Sequence, residues 1–147
     1  MSTRSRIGYV DPKTGLIHSS YCHFDGYPSH VGMTLKTHYK DLKKIRRLIA
    51  LGSISCLGQH VSWRTAPKPW VTQNYYGNGD AFTPVTKHTF DTPIKDVTRA
   101  YHRDRNEPWD HCKPSVDSIM LDLQEWNYLY DSGEWRYKMS GGTWQVL

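Results

Sequence analysis

At 147 residues the chain is one domain long, and no stretch approaches the ~18 consecutive apolar residues of a membrane span. Nineteen Lys and Arg against fourteen Asp and Glu leave a net charge of +5, a mild bias toward anionic partners. Three widely spaced cysteines, Cys22, Cys56 and Cys112, with no Cys-x-x-Cys pair, exclude a disulfide scaffold and a zinc ribbon, so the expected setting is a soluble protein in a reducing cytoplasm.

Taken in order, residues 6–10 and 16–24 read as two strands joined by Asp11-Pro12-Lys13-Thr14-Gly15, which has the Pro and Gly of a short hairpin loop. The next stretch, 21–39, concentrates Cys22, His23, Asp25, Tyr27, His30, His38 and Tyr39 around a Gly26-Tyr27-Pro28 bend where the pattern turns from extended to helical. Pro28 and Ser29 open a helix with Val31, Leu35, His38 and Tyr39 on its inner side. Asp41 caps a second helix, whose Leu42, Ile45, Leu48 and Ile49 form an apolar stripe and whose Lys40, Lys43, Lys44, Arg46 and Arg47 face water. Gly52 ends it.

Periodicity fades over about 53–96, where Pro67, Pro69, Pro84, Pro93 and the turn cluster at 75–80 break up any element. Trp63, Trp70, Tyr75, Tyr76 and Phe82 imply that this segment is partly packed. Residues 97–105 read as a strand and a helix is expected from Ser115, with Val116, Ile119, Met120 and Leu123 on one face. The C-terminus reads as a meander in which Trp126, Tyr128 and Tyr130, and again Trp135, Tyr137 and Met139, share faces. The order ββαα-loop-βα-βββ predicts a single α+β domain over 1–147, a mainly antiparallel sheet covered on one side by two or three helices.

Two clusters carry candidate chemistry. His23 and Asp25 are the candidate catalytic pair, because same-face spacing on an extended strand lets a carboxylate orient an imidazole. No nucleophile motif accompanies them. Metal binding is not expected: Cys22 and His23 point to opposite faces of one strand, and His30 and His38 are two helical turns apart. No cofactor is expected either. In the second cluster Arg99, Tyr101, Arg103 and Arg105 share a face if the segment is extended, making a fork-shaped receptor for phosphate or carboxylate. Arg4 adds charge if the first strand pairs nearby, and Tyr27 shapes the rim. A surface salt-bridge ladder among Arg103, Asp104, Arg105 and Glu107 is the structural alternative.

The segments 2–8, 21–28 with Val31-Gly32, Leu35 and His38-Tyr39, 48–52, 97–107 and 125–130 together resemble a family of small tailed-bacteriophage proteins of unassigned function. Its Tyr-Gly-Arg-Asp-Arg-Gly-Glu segment is matched here with His102 and Asn106 in place of the two glycines. The resemblance implies a phage-encoded, non-virion protein in the host cytoplasm that inhibits or modulates a host defence or takeover target; the arginine cluster with its aromatics adds the reading of a receptor for an anionic nucleotide. The alternatives from the residues are a small phosphoesterase-like hydrolase using His23 and Asp25, and a nucleic-acid-binding module using the basic helix.

Overall fold

The computed structural model describes residues 2–73, 82–120 and 123–147; the sequence-predicted turn cluster at 75–80 lies outside them. Strands β1 (Ser5–Val10) and β2 (Ile17–Cys22) form the predicted antiparallel hairpin, with Ser5 opposite Cys22 and Val10 opposite Ile17. Asp11 closes the loop: its carbonyl accepts from the Gly15 N–H at 2.8 Å and its carboxylate from the Lys13 N–H at 2.9 Å. Gly15 takes φ 71, a left-handed conformation that suits a residue without Cβ.

β2 stops at Cys22, two residues short of the predicted end, because Asp25 turns left-handed at φ 56 and takes the chain out of the sheet. The helix expected at Pro28 begins as a wider π-helical turn, Pro28–Gly32, and continues as α1 (Met33–His38). Helix α2 (Leu42–Ala50) follows as read: the Asp41 carboxylate accepts from the Lys43 N–H, and Ile45, Leu48 and Ile49 are buried.

The segment expected to be irregular holds β3 (Ile54–Cys56), a 3-10 turn at Trp63–Thr65 and a separate hairpin of β4 (Val71–Gln73) with β5 (Phe82–Pro84). Strands of three residues are too short for a period of two to stand out from their sequence. After them come β6 (Arg99–Ala100), α3 (Tyr101–Arg105), α4 (Trp109–Cys112), β7 (Ser115–Asp117), β8 (Trp126–Asp131), β9 (Glu134–Met139) and β10 (Gln145–Val146).

Two predictions are corrected there. The strand over 97–105 is only two residues long and then coils into α3, because the Asp104 carboxylate reaches back to accept from the Ala100 N–H at 2.7 Å and closes the turn. The helix from Ser115 is a strand, β7, paired antiparallel to the N-terminal half of β2. Of its supposed apolar face only Met120 is buried, Val116 being 48% and Ile119 64% exposed, so sheet pairing and not helical burial decides the conformation.

Among the described residues eight strands make one sheet in the order β10-β9-β8-β1-β2-β3-β6, with β7 beside β2. Only β1 with β8 and β2 with β3 run parallel, so the class is α+β with a mainly antiparallel sheet. One face carries Ile7, Tyr9, Tyr128, Tyr130 and Trp135 against Val31, Leu35, Tyr39, Ile45, Leu48 and Ile49 of the helical layer. On the other, Arg6 lies buried across β2, donating to Ser19 Oγ at 2.8 Å and Ser115 Oγ at 2.7 Å. No helix among the described residues is long and apolar enough to cross a membrane.

Candidate functional site

The end of β2, the bend after it, β3 and β6 meet at one edge of the molecule. A cavity of about 180 Å³ opens there, walled by residues 56–58 and 93–97 and lined by His30 from the bend and Arg99 from β6. Its shape depends on Gly58, where a Cβ would run into the backbone of Asp96 and Val97. The opposite wall is equally constrained: Asp96 is left-handed at φ 66, and its carbonyl accepts from the His60 N–H at 2.9 Å. Tyr39 fixes Gly58 from beneath, donating its hydroxyl to the Gly58 carbonyl at 2.7 Å.

Two polar atoms at this cavity are buried without a hydrogen-bond partner among the described residues, His30 Nδ1 and Arg99 Nε. The Arg99 guanidinium lies over the Phe90 ring, 4.0 Å from its centroid. Lys95 and Asp96, also on the lining, are 3.9 Å apart and half-exposed. Burial raises the Cys56 thiol above its ordinary value, an effect that Ser55 and Arg99 oppose only in part. Cys56 therefore stands on the wall as the protonated thiol at neutral pH.

The other sequence-predicted residues divide sharply. Arg103 is consumed by structure: its Nη1 donates to the Val61 carbonyl and its Nη2 to the Thr98 carbonyl, each at 2.6 Å, while its Nε donates to Asp104 at 2.8 Å. Arg105 is exposed, pairs with Glu107 at 3.0 Å, and stacks 4.3 Å from Phe90 and 5.0 Å from Tyr101. Because α3 replaces the expected strand, Arg99, Tyr101, Arg103 and Arg105 do not form a single-faced row; what joins Arg99 to Arg105 is Phe90. Tyr101 is half-buried, its pKa raised by that burial against the influence of the Ser55 hydroxyl and Arg105.

His23 and Asp25 are each bonded to a tyrosine and not to one another. The Tyr21 hydroxyl lies 2.7 Å from His23 Nδ1, and the Tyr27 hydroxyl donates to Asp25 Oδ1 at 3.3 Å. The expected carboxylate-to-imidazole orientation fails because Cys22 ends the strand and Asp25 turns left-handed. Burial, and then the neighbouring Arg4, lower the His23 pKa. Tyr27 is exposed and meets the His30 ring edge-on, 6.2 Å between centroids. Cys22 is fully buried, and burial pushes its thiol up to about 12.

A second polar centre lies behind this edge and is structural. Asp104 accepts from His88 Nε2 at 3.0 Å, from Arg103 and from the Ala100 N–H, while His88 Nδ1 accepts from the Ile94 N–H at 2.9 Å. That last bond places the His88 proton on Nε2. With both ring nitrogens bonded and the side chain fully buried against Trp63, His88 faces no ligand.

Phe90 and Gly58 escaped sequence reasoning because both lie where no periodicity marks an element. His30 was legible as a polar residue at a helix start, but nothing local to it points toward Arg99. Set beside protein-family models, curated proteins and solved structures, the chain matches none.

Proposed function

We propose that the chain works by binding and not by turnover, as a receptor for an anionic ligand seated between Arg99 and His30. The observation that carries this reading is the pair of buried, unpartnered nitrogens on one cavity. A buried donor without a partner costs about 1–3 kcal/mol, and an oxyanion accepting from the Arg99 guanidinium removes that cost. A guanidinium held over an aromatic ring is also oriented before the ligand arrives, which lowers the entropy lost on binding.

The resemblance to small tailed-phage proteins, carried by the Tyr21–Pro28 block and the 97–107 segment, supplies the setting: a phage-encoded protein that modulates a host defence or takeover target by occupying or withdrawing an anionic ligand. Hydrolysis by His23 and Asp25 has less support, since each is held by its own tyrosine. So has nucleic-acid binding through α2, where Lys44 is turned inward to the His38 and Gln59 carbonyls and Arg46 lies 3.6 Å from Asp11.

Titration calorimetry with inorganic phosphate tests the receptor reading. The expected result is saturable binding by the wild type, weakened at least about tenfold in Arg99→Gln with the melting temperature little changed. Absence of binding by the wild type, or equal binding by the variant, contradicts it.

A further inference from the structure

The cavity is smaller than the ~300–1,000 Å³ of sites that enclose a whole drug-sized ligand, so its occupant projects beyond it. What adjoins it is a stack. The guanidiniums of Arg99 and Arg105 both lie on Phe90, at 4.0 and 4.3 Å from the ring centroid. The Phe90 ring is 5.5 Å from that of Tyr101, which also stands 5.0 Å from the Arg105 guanidinium. Arg105 is thus backed by two rings, tethered through its Nε to Glu107, and still 47% exposed along its side chain.

A flat cation fixed at one edge and open to water is a platform for a flat, electron-rich partner. Guanidinium planes stack on nucleobases, and each stacked base contributes about tenfold or more to affinity. Resting on the anion-receptor reading, we infer that the ligand is a nucleotide: its phosphate is held by the Arg99 guanidinium at the cavity beside His30, and its base lies on Arg105 beside Tyr101. Arg99 reads the anion and Arg105 reads the base, with Phe90 setting their spacing. Of the carboxylates around this path, Asp96 is paired with Lys95 and Glu107 with Arg105, while Asp25 accepts from the Tyr27 hydroxyl.

The test compares three probes, inorganic phosphate, ribose 5-phosphate and adenosine 5′-monophosphate, on the wild type, Arg105→Ala, Arg105→Lys and Arg99→Gln. On the wild type the nucleotide is expected to bind about tenfold tighter than the sugar phosphate. Arg105→Ala should abolish that ratio while leaving phosphate binding within about twofold. Arg105→Lys, which keeps the charge and loses the plane, should abolish it as well. Arg99→Gln should weaken all three. If the wild type binds nucleotide and sugar phosphate equally, the base platform is wrong and the anion receptor stands. The platform is equally wrong if Arg105→Lys preserves the ratio. If none of the three probes binds, both the receptor and the platform fall.

Discussion

Asp104 holds the second cluster together, and its surroundings make a prediction about acid. Burial alone would raise its pKa, but hydrogen bonds from His88, Arg103 and the Ala100 N–H outweigh that and draw it down to about 2. A carboxyl whose folded pKa lies below its unfolded value stabilises the fold above the unfolded value and loses that contribution as pH falls through the folded one. The expected loss falls between about pH 4 and pH 2 and is on the order of 2 kcal/mol, the side chain being almost wholly buried. Denaturant melts at pH 6, 4 and 2 should show it, and Asp104→Asn should be destabilised at pH 6 with a flatter profile over that range. A variant as acid-sensitive as the wild type would refute the assignment. The network also explains why two neighbouring arginines differ: Arg103 serves carbonyls from two other segments, whereas Arg99, one turn earlier, keeps its Nε unspent.

At the scale of elements, α2 and α3 show the difference between a helix marked by its apolar period and one closed by a single short-range bond. Helix α2 has a capping aspartate, an inner stripe and a terminal glycine, and all three act as they read. Gly52 does more than end the helix. It sits at φ 79, and a Cβ there would collide with the Cys112 carbonyl oxygen as α4 packs past. Gly52→Ala is therefore expected to cost about 2 kcal/mol or more, against about 1 kcal/mol for loss of the Asp41 cap in Asp41→Ala. Urea denaturation of both variants checks the order; an Ala at 52 that costs less than the lost cap would show that α4 yields easily. In α3 the alternating charges suggest an extended strand, but Asp104 bonding back to Ala100 makes a helical turn. Asn106 ends it in the left-handed conformation at φ 62 that Asn tolerates better than most residues.

Over the whole molecule, the rings of the C-terminal strands carry the polar groups that fix the helical layer. Tyr128 donates to the Gly26 carbonyl at 2.7 Å and Trp135 to the Tyr39 carbonyl at 2.8 Å, so the sheet reaches through the core to hold the bend and the end of α1. Tyr128→Phe leaves the Gly26 carbonyl buried without that donor, and a loss of about 1–2 kcal/mol is expected. Since Gly26 precedes His30 in the same bend, phosphate affinity should fall with stability; calorimetry and melting on one preparation test both, and unchanged affinity would mean the bend holds without the sheet.

By itself the sequence determined the first hairpin, the amphipathic α2 and the aromatic rows of the last two long strands, because each is written in local spacing: turn residues at fixed offsets, a period near 3.6, a period of two. Only the tertiary structure decided that 115–117 is a strand and that Arg99 lies on a cavity with His30. The physical reason is that those outcomes depend on groups far along the chain. The open edge of β2 draws in β7, residues 56–58 and 93–97 supply the wall, and the distant Val61 carbonyl takes up Arg103, none of which leaves a trace in the residues beside it.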